Sequence, residues 1–284
     1  MGIILAVFSA VVFAFIMFLG KQTVNKKADP LVISTFYQIA AAIFYLPSLF
    51  FEELHWPVTA DLWLLFALNM VLYTVFTIGN FYMNKYLDIS LSSILGQSKT
   101  AITFIGALIL FQEAVTWNKV VGVVLIIIGS VLLFLKRGTS FEGFNKKGLI
   151  LVAITTLALT ITAFIDARLI QTFSVNFFGM ISYLMPGLLT IPILLKMKTK
   201  NEIMTNLKSN FNPILLMGLI APIAYSSLLM AYRLAPKSVV YPIGNISTLV
   251  MVLLGIIFLK ERQMLQRKLI AAVIVVIGAI LLSI

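Results

Sequence analysis

Residues 90–113, SLSSILGQSKTAITFIGALILFQE, return as residues 238–261, SVVYPIGNISTLVMVLLGIIFLKE. Ser90, Gly96, Thr100 and Glu113 match Ser238, Gly244, Thr248 and Glu261. Downstream, Ile126–Leu133 (IIIGSVLL) returns as Val275–Leu282 (VVIGAILL). Upstream, Gly2, Ile4, Leu5, Phe18 and Tyr37 recur as Gly148, Ile150, Leu151, Phe164 and Tyr183. Leucine and isoleucine identities arise easily between apolar segments. The Tyr, Gly, Ser, Thr and Glu matches, all in one order, indicate a duplication. The predicted units are 1–137 and 148–284, joined by a linker at 138–147.

Composition says where such a duplicated chain resides. Of its 284 residues, 61% are hydrophobic and 11% charged, against about 45–50% and about 25% in soluble domains. A soluble enzyme, a nucleic-acid binder and a disordered chain are thereby excluded, and lipid is the expected solvent. A bilayer core of about 30 Å needs about 20 helical residues. The charges cut the chain into spans of close to that length: 2–20, 31–51, 62–84, 89–112 and 120–135, then 148–165, 169–195, 209–232, 238–259 and 269–284. Backbone groups facing lipid must bond internally, so the spans are predicted to be helices. The fold class is an all-α integral membrane protein, ten transmembrane helices as two inverted five-helix repeats. The first span has no basic segment before it and reads as a retained helix rather than a signal peptide. Ala6 stands where myristoylation favours Ser or Thr.

An odd number of spans per unit inverts the second unit relative to the first, and the net charge of +11 tests this. Sixteen of the 21 Lys and Arg residues fall in loops 1–2, 3–4, 5–6, 7–8 and 9–10, four in the alternate loops, and Lys99 inside a span. By the positive-inside rule both termini are expected outside the cytoplasm, in a cell membrane. Inverted repeats are the construction of secondary transporters, which use them for alternating access.

Two five-span units, each with a small-residue fourth span ending in Glu and a Gly-containing fifth, resemble the drug/metabolite transporter superfamily of EamA type. The residues that carry this are LFQE at 110–113 with IIIG at 126–129, and FLKE at 258–261 with VVIG at 275–278. The resemblance implies a ten-helix carrier whose cavity is lined by helices 1, 3, 4, 6, 8 and 9, and commonly cytoplasmic termini, against the charge bias here. Gln97-Ser98-Lys99 is similar to a Gln-x-Lys of nucleotide-sugar transporters, which implies an anionic substrate.

Lys99 is the one charge inside a span, and a mid-bilayer lysine costs at least about 2.5–3.5 kcal/mol unless paired or hydrated. It is the leading candidate for substrate binding, with Gln97 and its repeat equivalent Asn245 as hydrogen-bonding partners. Asn80, Tyr82, Tyr225 and Tyr241 are further candidates. Pro242, Gly244 and Gly96 mark a helix break, where freed backbone can meet a ligand. Tyr37 and Tyr183 read as packing or gating residues. Lys85 and Arg233 read as equivalent interfacial anchors, Asp166 and Arg168 as a pair or gate closing the sixth span, and Glu113 and Glu261 as turn caps. No Asp or Glu falls deep in a span, which favours exchange or facilitated transport over proton antiport.

With no cysteine and one histidine, His55, neither a metal site nor a cofactor is expected, and no enzyme. The expected partners are a small-molecule substrate and the lipid bilayer, with no nucleic acid, for a monomer or homodimer. The leading function is a carrier of a small polar metabolite, anionic if Lys99 receives it. The alternatives are an exporter of amino acids or amphipathic drugs, for which 22 Phe and 12 Met speak, and a non-transporting accessory membrane protein.

Overall fold

The computed structural model describes residues 1–57, 59–96, 99, 102, 116–132, 145–235, 240, 243–244, 246–261 and 265–281. Its helices are α1 (Gly2–Asn25), α2 (Pro30–Tyr45, extended by a 3-10 turn Leu46–Phe51), α3 (Ala60–Tyr86), α4 (Ile89–Gly96), α5 (Trp117–Leu132), α6 (Lys146–Leu169), α7 (Val175–Met197), α8 (Lys200–Ser209), α9 (Phe211–Leu234), α10 (Ile246–Ile257) and α11 (Leu265–Leu281). Six of them, α1, α2 with its extension, α3, α6, α7 and α9, are long and apolar enough to cross a membrane. Large apolar side chains such as Ile3, Leu64, Ile150 and Ile270 point outward, as lipid requires.

Local chemistry sets the helix starts. Asp29 caps α2, accepting from the amides of Leu31 (2.9 Å) and Val32 (3.3 Å), with Pro30 in the first turn. Asn145 caps α6 in the same way. Glu52 reaches across from the loop after α2 to cap α7, accepting from the amides of Val175 and Asn176, both at 2.7 Å. Such a carboxylate satisfies two otherwise orphan donors and opposes the positive end of the helix dipole.

The two halves interlock rather than sit side by side. α3 packs on α6 and α1 on α9, two pairings that the repeat exchanges, and α2 packs on α7, its own equivalent. Each of the three runs antiparallel: Asn69 meets Asp166 while Leu87 meets Gly148, Ser9 meets Ala224 while Gly2 meets Ala235, and Tyr45 meets Gly179 while Ile39 meets Gly187. α2 instead runs parallel to α9, with Ala40 against Gly218 and Tyr45 against Pro222. Helices equivalent by the repeat therefore point in opposite directions, as the odd span count requires.

Glycines permit the closest crossings. A Cβ on Gly2 would stand 2.8 Å from Ala235, and one on Gly148 would stand 2.6 Å from Leu87. The Gly129 of IIIG and the Gly278 of VVIG bring α5 and α11 together, where a Cβ on Gly278 would stand 2.6 Å from the Gly122 carbonyl.

Loop sides also follow from contact. The Asp29 carboxylate pairs with Lys198 at 2.8 Å, and its amide donates to Asn206, joining loops 1–2 and 7–8 on one face. Asp88, Glu261 and Lys268 lie on that face too. On the other, Glu52 and His55 meet Ser174 and Val175, and Arg233 reaches the carbonyls of Ile170 and Phe173. The first is called the basic face and the second the acidic face.

Several expectations need correction. The sixth span does not stop at residue 165: α6 continues to Leu169, carrying Asp166 inside it, and the next helix begins at Val175 rather than 169. Loop 7–8 contains the helix α8, started by a capping box in which Thr199 and Glu202 bond reciprocally. The second span changes from α-helix to 3-10 turn at Leu46–Phe51, where Pro47 cannot donate to the α-helical ladder.

Candidate functional site

A buried polar assembly sits where the two halves meet. α3 supplies Asn69 and Tyr73, nine and thirteen residues in from Ala60, which places Asn69 about 13 Å along the helix. α6 supplies Asp166, 2% exposed, and α9 supplies Tyr225. The Asn69 Nδ2 donates to Asp166 Oδ1 at 2.7 Å. Tyr225 donates to Oδ2 at 2.9 Å, and Tyr73 donates to the same oxygen. Each phenol has one proton and spends it on Oδ2. The 3.1 Å approach of the two phenol oxygens is thus imposed by the carboxylate rather than by a bond between them.

Asp166 closes the sixth span as expected, in the last turn of α6 three residues before Leu169, and it is buried there. It does not pair with Arg168. Two positions along a helix differ by about 200° of rotation, so the two side chains leave opposite faces. Asp166 faces the bundle with side-chain donors on three sides, and among the described residues it makes no ion pair.

The tyrosines continue from there. Tyr225 packs edge-on against Tyr183 with centroids 5.8 Å apart, and Tyr183 against Tyr37 at 5.8 Å. Tyr37 and Tyr183 are equivalent by the repeat, and their hydroxyls meet at 3.4 Å. Tyr45 stacks near Tyr183, donates to the Pro222 carbonyl at 3.2 Å and lies 3.1 Å from the Ser226 hydroxyl. Five helices' worth of buried side chains therefore surround one polar centre. Asn69 Oδ1 is buried with no hydrogen-bond partner among the described residues, and the buried Ser182 hydroxyl, facing Tyr225, accepts from no donor there.

The other sequence candidates scatter. Asn80 is buried against Met17, its Nδ2 3.0 Å from the sulfur, and Tyr82 is half-buried beneath the basic face. Lys85 is exposed, while the Arg233 guanidinium binds the Ile170 carbonyl at 2.9 Å and bounds a hollow of about 340 Å³ with Glu52, Glu53 and His55. Lys99 is helical and half-buried, and it has interaction partners. Gln97, Tyr241, Pro242, Asn245 and Glu113 lie outside the described residues. Gly96 and Gly244 are described, and no described atom lies within 4 Å of where a Cβ would sit on either. These equivalent glycines differ in this from those at the helix crossings.

Asn69, Tyr73, Tyr45 and Ser182 were not singled out from the sequence. A signal existed for two of them: Asn69, Tyr73, Thr77, Asn80 and Asn84 recur at helical spacing and form one polar stripe on α3. Among the described residues no cluster of His, Asp and Glu could hold a metal ion.

No curated protein matches the chain. A solved structure, titled only "Crystal structure of protein", is similar in fold with a TM-score of 0.55. That likeness covers 95% of this chain and 94% of the other at 13% sequence identity. The EamA-like transporter family matches residues 1–135 and again 146–284. A twice-matched chain with six membrane-capable helices among its described residues is an integral membrane protein of a family of small-molecule transporters: it belongs to the EamA-like transporter family.

Proposed function

We propose that the protein is a secondary carrier that moves a small polar solute by alternating access. Its ten helices form two inverted five-helix units, 1–137 and 148–284, linked through 138–147, and the basic face is cytoplasmic. The observation that carries this reading is the polar centre shared by both halves. Asn69, Tyr73, Tyr37 and Tyr45 come from one unit, and Asp166, Tyr183, Tyr225 and Ser226 from the other. A solute bound there touches both units, so their relative movement exposes it first to one face and then to the other. Gly96 and Gly244 lie in the fourth and ninth spans, which the family resemblance gives to the cavity lining.

Purified protein in liposomes, loaded with a broad panel of metabolites, should show counterflow of at least one of them. Failure to move any solute would favour the non-transporting accessory role. A second reading places an anionic group of the solute on Lys99 with Gln97 and Asn245. A half-buried lysine with helical backbone supports it, and Lys99→Ala should then abolish flux of the anion. A reporter fused after Ile284 tests the orientation, with activity expected outside the cytoplasm.

A further inference from the structure

Asp166 accepts three hydrogen bonds and donates none in this arrangement, as an ionised carboxylate does. A buried charge is costly unless it is paired, and no lysine or arginine pairs with this one among the described residues. Its neighbours carry a matching deficit. The Asn69 Oδ1 can only accept a hydrogen bond, and the Ser182 Oγ can accept one. Both are buried; the Asn69 Oδ1 has no partner among the described residues, and the Ser182 hydroxyl faces Tyr225 but accepts from no donor there. A carboxylate serving only to cross-link helices gives no reason for two further acceptors beside it to go without donors.

One chemical group answers all three demands. A primary ammonium supplies the missing positive charge and three N–H donors, one each for the carboxylate, the amide oxygen and the hydroxyl. The rings of Tyr73, Tyr225 and Tyr183, set edge to face, add electron-rich surfaces that attract a cation. An anion entering the same centre meets a like charge and two acceptor atoms. We infer that Asp166, Asn69 and Ser182 form a binding site for an organic ammonium group, which makes the solute an amine or an amino-group-bearing zwitterion. Transport of that solute rests on the carrier reading above, but its binding does not.

The test uses the full-length protein in lipid nanodiscs and three probes that differ only in the head group: benzylamine, benzyl alcohol and benzoate. Benzylamine is expected to bind at least tenfold more tightly than the alcohol, with no saturable binding of benzoate. Asp166→Asn should weaken benzylamine at least tenfold, and Ser182→Ala about threefold. If Asp166→Asn does not fold, Ser182→Ala and Asn69→Ala decide the matter, since both keep the carboxylate. Benzoate binding as tightly as benzylamine overturns the site, as does amine binding unchanged in every folded variant. Benzylamine binding without its counterflow in liposomes removes the carrier reading and leaves the ammonium site. Flux of a carboxylate solute with no amine binding does the reverse.

Discussion

Two buried carboxylates from the second half of the chain reach into the first, and they are satisfied by different kinds of donor. Glu261 follows α10, where Lys260 adopts a left-handed conformation (φ 56°) and the Glu261 amide closes back on the Gly255 carbonyl at 3.1 Å. This turn aims the side chain at the start of α4. There it accepts from the amides of Ile89 (2.9 Å) and Ser90 (3.1 Å) and from the Ser90 hydroxyl (2.5 Å). Lys268 stands behind it, 3.9 Å from Glu261 and 2.7 Å from Asp88. Lys21 bonds the Asn84 and Leu87 carbonyls alongside. Among the described residues Asp166 has neither backbone amides nor a cation, only side chains that can turn away. One carboxylate is fastened into the scaffold, and the other is held by groups free to be shared with a guest.

The contrast breaks most visibly on removing each carboxylate. Glu261→Ala leaves two helix-terminal amides without an acceptor and weakens the charge balance around buried Lys268. It should cost about 3 kcal/mol of stability, read as a large fall in the melting temperature in detergent. Asp166→Asn should lower stability by no more than about 1–2 kcal/mol and reduce solute flux at least a hundredfold. A large loss of stability with unchanged flux in the Asp166 variant would make it a structural residue like Glu261.

Glycines sharpen the same division between scaffold and route. Gly278 is pressed against the backbone of α5, so Gly278→Val should cost about 1–3 kcal/mol through overpacking. Gly96 and Gly244 face open space among the described residues. Valine at either should leave the stability within about 1 kcal/mol of wild type, since it also relieves the helix penalty of glycine. Flux should nevertheless fall at least tenfold, as expected of a bulky side chain added to spans that the family resemblance gives to the cavity lining. A melting temperature lowered by Gly96→Val as much as by Gly278→Val would refute that distinction.

How much of this was legible beforehand follows from whether the cause was local. The duplication, the helices and the grouping of loops by face follow from polarity along the chain, and polarity is what a bilayer sorts. Tyr37 and Tyr183 stood out because they recur, and their packing against each other follows from lying at equivalent places in inverted halves. Asp166 was placed correctly at a helix end, but its partners were not foreseen. Asn69, Tyr73 and Tyr225 satisfy it from other helices, and nothing near residue 166 announces them. Glu261 was read as a turn cap, but the helix it caps begins 172 residues earlier in the sequence. The helix α8 was readable and missed, since Thr199 followed three residues later by Glu202 is a capping-box signature.

The smallest effect belongs to a third carboxylate, the one nearest water. Asp29 pairs with Lys198 on the basic face, where their side chains keep 16% and 27% of their exposure. The hydrogen bond that Lys198 donates to the Asp29 carboxylate raises the Lys198 pKa above its ordinary 10.5. A lysine whose value is raised on folding stabilises the protein fully below the unfolded value, and that contribution disappears as pH rises through the raised one. Solvent screening keeps it below about 1 kcal/mol. The melting-temperature difference between wild type and Lys198→Gln should therefore be small and constant from pH 6 to about 9, then shrink above about 10.5. It should also shrink with added salt, whereas the loss caused by Glu261→Ala should hardly respond, because buried partners are screened much less. Equal salt sensitivity of the two would place Glu261 in water rather than in the scaffold.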